Sequence, residues 1–251
     1  MTDLHCHILP GIDDGAKTVE DSIEILKMEL EQGVNSVVFT PHFDIRETNL
    51  KSFLEKRKIS YESLVNHKEF SDLNISTKLG AEVYFSSDLL DIDLTELCIE
   101  STDYLLIELP VSTAPVGLKS ALSMLVNNGF TPILAHIERY PYISENPEIL
   151  YDLVSNGCFA QANAYTINRN DKFTKIIYRY IKWGLVHFIS SDCHSTVRRP
   201  PNTLEAFSTL DKNLSEEYVS WLRNNSNRVF NGKYVDLPVL TKPKKILGLW
   251  I

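Results

Sequence analysis

The chain repeats one local pattern, in which a helix ends at a glycine and a short apolar strand follows. Glycine adopts the left-handed conformation that returns a chain from a helix to a sheet. Alternating strands and helices are typical of a parallel sheet, because parallel neighbours need a crossover connection. The glycines of the four clearest repeats are Gly33, Gly129, Gly157 and Gly184. The pattern therefore predicts an α/β fold.

Apolar runs and capping residues give the predicted elements. Thr18 followed by Asp21 forms a capping box at the start of the first helix. Helices are expected from Thr18 to Gly33 and over residues 46–69, 118–128, 147–157, 171–183 and 202–224, the last as one or two helices. Strands are expected over residues 3–7, 34–40, 78–85, 104–109, 131–136, 158–163 and 185–191. The total is about seven strands, with a charged helix entered by a loop after the second.

Histidine and carboxylate side chains lie at or near the end of nearly every predicted strand. His5 and His7 point to the same face, because side chains two apart in a strand do so. The other candidates at strand ends are His42, Glu82, Glu108, His136, Asp192 and His194. Imidazoles and carboxylates are ligands for transition metals. The pattern predicts a site for several metal ions.

The distribution of these ligands favours a closed barrel. In a TIM-like barrel the carboxyl ends of all strands meet at one face. An open doubly wound sheet remains an alternative, but it would spread the ligands along one edge. Two further histidines, His67 and His187, are expected to be a surface residue and a structural residue inside the last strand.

Composition limits the class of protein. The 251 residues are 43% hydrophobic, enough for one core, so residues 1–251 are predicted to form a single domain. The net charge of −8 argues against nucleic-acid binding. Four scattered cysteines without a CxxC pair favour a reducing compartment and no disulfides.

The N-terminal residues lack the charged and then apolar segment that is typical of signal peptides. No apolar run reaches ~18 residues, so a soluble cytoplasmic protein without stable membrane insertion is expected. The tail at residues 242–251 is basic and then apolar. We expect it to pack on the barrel or in a homo-oligomer, although contact with a membrane or a partner is an alternative.

Several motifs resemble those of the polymerase-and-histidinol-phosphatase (PHP) superfamily. They are His5-Cys6-His7, Thr40-Pro41-His42, Gly80-Ala81-Glu82, Leu106-Ile107-Glu108-Leu109, Ala135-His136-Ile137-Glu138-Arg139-Tyr140 and Ser191-Asp192-Cys193-His194. The stretch 5–15, with residues 136–140 and Arg199-Pro200-Pro201, is more specific. It is similar to the bacterial metal-dependent tyrosine phosphatases of capsule and exopolysaccharide operons (CpsB/YwqE type). The resemblance covers almost the whole chain.

The resemblance implies a distorted (β/α)7 barrel that binds two or three metal ions. It implies that His5, His7, Glu82 and Asp192 hold one ion, that Glu82, Glu108 and His136 hold a second, and that Asp14, His42 and His194 hold a third. Asp13 remains an alternative to Asp14. Oxygen ligands favour manganese, although iron and zinc are also found in the superfamily.

The implied activity is hydrolysis of phosphotyrosine on proteins, with Arg139 and Arg199 binding the phosphoryl oxygens. Arg198 is a weaker candidate. The implied partner is a tyrosine kinase with a tyrosine-rich tail. Alternatives are a histidinol-phosphate phosphatase, a nuclease, which the acidic charge disfavours, and a metal-stabilised module that binds a kinase without turnover.

A different phosphatase chemistry is also consistent with one short motif. Cys193 and Arg199 are separated by five residues, as in the phosphate-binding loop of thiol-dependent tyrosine phosphatases. The intervening residues contain no glycine, and Pro200-Pro201 follow directly where a helix would be needed. This motif is therefore the less favoured explanation.

Overall fold

The computed structural model describes residues 1–250 and has alternating strands and helices. Its strands are β1 (Thr2–Cys6), β2 (Ser36–Phe39), β3 (His42–Phe43), β4 (Ser76–Leu79), β5 (Glu82–Tyr84), β6 (Tyr104–Glu108), β7 (Thr131–Leu134), β8 (Phe159–Asn163), β9 (Phe188–Ser190), β10 (Lys245–Ile246) and β11 (Leu249–Trp250). Its helices are α1 (Val19–Glu31), α2 (Leu50–Val65), α3 (Leu118–Asn127), α4 (Pro141–Glu145), α5 (Glu148–Ser155), α6 (Ala164–Asn168), α7 (Lys172–Lys182), α8 (Thr203–Asn213) and α9 (Glu216–Phe230).

The strands β1 to β9 pair in parallel, which confirms the predicted α/β class. They form a three-stranded sheet in the order β1-β2-β4 and a six-stranded sheet in the order β3-β5-β6-β7-β8-β9. Backbone hydrogen bonds also connect β1 to the segment after β9. The Asp192 N–H donates to the His5 carbonyl, and the His7 N–H donates to the Cys193 carbonyl, both over 2.9 Å.

Two predicted strands are interrupted in the structure. Residues 78–85 were expected to form one strand, but β4 ends at Leu79 and β5 begins at Glu82. The run 34–40 likewise ends as β2 at Phe39, and His42 begins β3. Pro41 has no N–H to donate, so the hydrogen-bond ladder cannot continue evenly through it.

The charged helix after the second strand is shorter than expected. The prediction was residues 46–69, whereas α2 spans residues 50–65 because the Asn49 side chain caps the Ser52 N–H. Residues 44–49 form the entering loop, in which Arg46 pairs with Asp44. Residues 202–224 were predicted to form one or two helices. The structure has two, α8 and α9, and α9 continues to Phe230. The sequence did not predict the short helices α4 and α6.

Other local predictions hold. Thr18 and Asp21 form the predicted capping box, and Gly33 and Gly184 each have φ of +74° after a helix. The core includes strands that are buried on both faces, as in β6, where residues 104–107 are at most 2% exposed. Burying each such large side chain stabilises the fold by roughly 1.5–3 kcal/mol.

The C-terminal tail folds back on the protein as a hairpin of β10 and β11. The Trp250 indole N–H donates to the Glu145 carbonyl over 2.9 Å, and Lys242 lies 3.3 Å from Glu148. All four cysteines are free thiols, as predicted. Within residues 1–250, no helix has both the length and the apolar character to cross a membrane.

Candidate metal centre

The nine side chains predicted to bind metal lie together at the carboxyl ends of the strands. His5 lies on β1. His42 and Glu82 follow the carboxyl ends of β2 and β4, and each begins a short further strand, β3 and β5. Glu108 ends β6, and the others lie in the connections that follow β1, β7 and β9: His7, Asp14, His136, Asp192 and His194. Since parallel strands end at the same edge, residues far apart in sequence meet here.

The most buried group consists of two histidines and two carboxylates. The Nε2 atoms of His5 and His7 lie 3.2 Å apart, and each is 3.2 Å from Glu82 Oε2. Each is also 3.5 Å from Asp192 Oδ1. Two ligand atoms ~2.1 Å from one ion lie roughly 3 Å apart. The four atoms are thus spaced as ligands of a common cation.

A second group uses the other oxygen of Glu82. Glu82 Oε1 lies 2.9 Å from His136 Nε2, which is 3.6 Å from Glu108 Oε1. The two oxygens of Glu82 therefore face different sets of ligand atoms, which suits a carboxylate shared between two ions.

The third group lies nearest to solvent. Asp14 Oδ1 is 3.3 Å from both His42 Nε2 and His194 Nε2. The Asp14 side chain is 66% exposed, whereas His194 is almost buried. His42 Nδ1 also lies 3.1 Å from Glu82 Oε2, so His42 stands between this group and the buried one.

The structure separates the positions of Asp13 and Asp14. Asp13 lies behind the cluster, where its Oδ2 accepts a hydrogen bond from His7 Nδ1 over 2.8 Å. Its Oδ1 accepts from the Gly15 N–H. A Cβ on Gly15 would lie 2.0 Å from the His7 carbonyl oxygen, so this close loop requires glycine. Asp14, not Asp13, points toward His42 and His194.

Hydrogen bonds to Nδ1 orient three further imidazoles. His5 Nδ1 is 3.2 Å from Gln161 Oε1, and His194 Nδ1 is 3.0 Å from the Asp192 carbonyl. His136 Nδ1 is 3.3 Å from the Tyr140 hydroxyl. A hydrogen bond donated by Nδ1 leaves the Nε2 lone pair for a metal, which is the usual arrangement behind ligating histidines.

Buried polar atoms without a hydrogen-bond partner provide a test of metal binding. Glu82 Oε2, Asp192 Oδ1 and His194 Nε2 are buried and unpaired. Such atoms are costly unless a cation or a donor satisfies them. All three face the groups described above, so the residues present fit divalent metal ions.

The environment of the centre shifts the pKa values of Glu82 and Glu108 in opposite directions. Burial alone would raise the pKa of Glu82, but the imidazoles of His5, His136 and His42 hold it well below its usual range. Burial raises the pKa of Glu108 to about 7, and the charge of Glu82 adds to the rise. The centre thus keeps Glu82 ionised as the shared carboxylate.

Two of these residues have strained backbones. His136 has φ of +30° and Asp192 has φ of +52°, both in the left-handed region that side chains other than glycine rarely adopt. Each such residue costs roughly 1–3 kcal/mol. The surrounding hydrogen bonds hold both side chains toward the cluster despite this cost.

The two predicted arginines lie beside the metal centre. Arg139 donates a hydrogen bond to Asp192 Oδ2 over 2.6 Å, and Arg199 forms an ion pair with the same oxygen at 2.7 Å. The Asn163 amide donates to it as well, over 2.7 Å. Both guanidinium groups border a cavity of about 430 Å³. Arg198 is exposed and borders a different cavity, near Lys17.

Sequence reasoning missed several residues that support the centre. Gln161 Oε1 accepts from the His136 N–H as well as facing His5, and its amide donates to Asn163. Gln161 and Asn163 alternate with alanines in β8. Two polar residues on one face of a buried strand were the available signal.

Cys193 does not face the arginines. It is fully buried, and its Sγ lies 3.5 Å from Glu29 Oε1 on α1. A thiol in this position cannot reach a phosphate held by Arg199, so the thiol-dependent alternative was wrong. His187 is buried inside the fold and His67 is partly exposed after α2, as expected for residues outside the centre.

Comparisons with known proteins agree with these observations. Residues 1–231 match the family described as capsular polysaccharide synthesis, CpsB/CapC. Tyrosine-protein phosphatase CpsB of Streptococcus agalactiae is 32% identical over 94% of this chain and all of its own length. Tyrosine-protein phosphatase YwqE of Bacillus subtilis is 29% identical over the full length of both chains.

Solved structures show the same relationship. One chain from the crystal structures of YwqE from Bacillus subtilis and CpsB from Streptococcus pneumoniae, described as unique metal-dependent tyrosine phosphatases, matches with a TM-score of 0.87. The match has 28% identity and covers 97% of this chain and all of that chain. An Escherichia coli phosphotriesterase homology protein, with a TM-score of 0.51 and 13% identity, shares only the fold. The chain belongs to the CpsB/CapC family.

Proposed function

We propose that this protein is a metal-dependent tyrosine phosphatase. The observation that carries the proposal is the cluster of unpaired imidazole and carboxylate atoms with two arginines directly beside it. The relatives named tyrosine-protein phosphatase support the same activity. Phosphate monoesters are dianions, and metal ions held by these ligands would lie beside two guanidinium groups, so the positive charges would be concentrated at one point.

The proposed ligands form three sets. Manganese is the preferred metal, because four of the nine ligands are carboxylates and oxygen donors suit manganese. The sets are His5, His7, Glu82 and Asp192; Glu82, Glu108 and His136; and Asp14, His42 and His194. When bound, the metal ions would neutralise the phosphate charge and activate water near neutral pH. Iron and zinc remain compatible with the same donors.

Asp192 connects the metal centre to the proposed phosphate-binding arginines. Its Oδ1 faces His5 and His7, while its Oδ2 accepts a hydrogen bond from Arg139 and forms an ion pair with Arg199. Each guanidinium has five N–H donors and uses one on Asp192, so donors remain for phosphoryl oxygens. This carboxylate therefore fixes the arginines at a constant position relative to the metals.

The chemistry of the leaving group favours phosphotyrosine over phosphoserine as the substrate. A phenolate leaves more easily than an alkoxide, so it depends less on a dedicated general acid. We propose a phosphotyrosine protein as substrate, specifically a tyrosine kinase with a tyrosine-rich tail, in the cytoplasm. The kinase is inferred from family resemblance. A homo-oligomer of this chain is compatible with the same function.

We also infer that residues 1–251, of which residue 251 lies outside the described part of the chain, form one domain. Seven strands would close into a ring within it. The interrupted pairs β2/β3 and β4/β5 each count as one strand of it. Support comes from the parallel bridge between Cys6 and Cys193, which joins β1 to the segment after β9. This closure explains why ligands from β1 and β9 meet.

The experiment is hydrolysis of three substrates by protein loaded with manganese: a phosphotyrosine peptide, a phosphoserine peptide and histidinol phosphate. We expect the highest kcat/KM for phosphotyrosine, and loss of activity in Glu82→Gln but not in the control His67→Gln. A preference for histidinol phosphate would assign the sister activity. Tight binding of a phosphorylated kinase tail without turnover would favour a binding module.

A further inference from the structure

The cavity beside the arginines has an aromatic end that the proposed chemistry does not use. Its polar end is formed by Arg139, Arg199 and Asp192, and its apolar wall includes Val111, Tyr165 and Pro200. Tyr165 is 54% exposed and Val111 is 47% exposed. Single exposed apolar residues are common, but here they meet in one cavity that begins at a pair of guanidinium groups.

The aromatic end is held at a fixed distance from the arginines. Asn163, which binds Asp192, directly precedes α6, and Tyr165 is the second residue of that helix. The Asn163 N–H and the Thr166 hydroxyl both donate to Glu138 Oε1, over 3.1 and 2.9 Å. Glu138 adjoins Arg139 in sequence. The wall that carries Tyr165 is thus tied to the turn that carries Arg139.

The cavity is large enough to hold an aromatic ring with space to spare. Its volume is about 430 Å³, whereas a cavity of ~150 Å³ accommodates benzene. Aromatic rings attract one another in offset or edge-to-face contacts beyond the effect of area alone. Arg169 lies over the Tyr165 and Phe173 rings at 5.6 and 5.9 Å, with its Nε paired to Asp171, and so packs against this aromatic wall.

We infer that this cavity is the binding site for the aryl group of the substrate, with Tyr165 as its main contact and Val111 at its rim. The inference rests on the proposed function, since it places the phosphate at Arg139 and Arg199. The ligand class is an aryl phosphate, in which a planar ring is attached to the phosphoryl group. Tyr165 is a specificity residue and takes no part in phosphoryl transfer.

The experiment compares the binding of phenylphosphonate and methylphosphonate to metal-loaded protein by calorimetry. Neither compound is hydrolysed, because each has a carbon–phosphorus bond. The two differ only in the group on phosphorus, which is a phenyl ring in one and a methyl group in the other. We expect the wild type to bind phenylphosphonate more tightly, and Tyr165→Ala to reduce this preference about fivefold. Methylphosphonate should bind both proteins equally, which shows that the phosphate end of the variant is intact.

Two further variants complete the test. Tyr165→Phe keeps the ring and should keep the preference, and Tyr234→Ala removes a tyrosine that is 76% exposed elsewhere and should also keep it. An unchanged preference in Tyr165→Ala, or none in the wild type, would overturn the inference. If a phosphotyrosine peptide is not hydrolysed although the preference depends on Tyr165, the proposed activity fails and the aryl site stands.

Discussion

His187 should make the protein less stable in mild acid. Its side chain is fully buried, and Nδ1 accepts a hydrogen bond from the Ala160 N–H over 3.0 Å. The ring packs edge-on against Phe159, with centroids 5.0 Å apart. Burial lowers the pKa of His187 to about 3, from an ordinary value near 6.5.

The size of the effect follows from proton linkage. Between pH 6.5 and pH 3 the unfolded chain binds a proton at this position and the folded chain does not, so stability falls as the pH falls. The loss is about 1.4 kcal/mol per pH unit below 6.5. From pH 7.5 to pH 5.0 it amounts to about 2 kcal/mol. Because the pKa of His187 in the folded protein lies well below 5, this figure is set mainly by the pKa of His187 in the unfolded chain.

The test is His187→Gln, which removes the titration and keeps an acceptor for the Ala160 N–H. Urea unfolding at pH 7.5 and pH 5.0 gives the free energy of unfolding of each protein. We expect the difference between variant and wild type to move by about 2 kcal/mol in favour of the variant at pH 5.0. Titrations shared by both proteins, including those of the metal ligands, cancel in this difference.

A difference that stays constant between the two pH values would refute the reasoning. The matched control is His67→Gln, since His67 is partly exposed outside the core. An equal pH effect in the control would show that the effect does not come from burial.

Three other predictions concern the metal centre. Gln161→Leu removes the acceptor beside His5 Nδ1 and the His136 N–H, and should weaken metal binding about 10- to 100-fold in a competition titration. Asp14→Ala should lower the metal content by one ion in elemental analysis, since Asp14 lies beside His42 and His194 in the third group. An unchanged metal content would show that Asp14 is not a ligand. Cys193→Ser should keep most phosphatase activity because the thiol faces Glu29, and an inactive but metal-loaded variant would contradict a metal-based mechanism.

Local sequence was sufficient for the repeating architecture. A capping box needs only residues three apart, so Thr18 and Asp21 identified the start of α1. Glycines after helices identified the returns to the sheet, and strand ends identified the residues that would cluster. These features depend on neighbours in the chain, which the sequence displays directly.

Contacts between distant segments decided the remaining details. The sequence does not distinguish Asp13 from Asp14, and only the structure shows that Asp13 bonds to His7 Nδ1 while Asp14 lies beside His42 and His194. The break before Glu82 likewise depends on pairing between strands, because no proline interrupts residues 78–85.

By itself, the sequence determined the parallel α/β class and indicated the two arginines and every candidate ligand except the choice between Asp13 and Asp14. The tertiary structure alone decided that Asp192 joins the ligands to both arginines and that Gln161 supports two histidines. It also decided that Cys193 faces Glu29 instead of the site. The physical reason is that side-chain direction in a short, strained connection is set by what packs against it, and those partners lie far away in the chain.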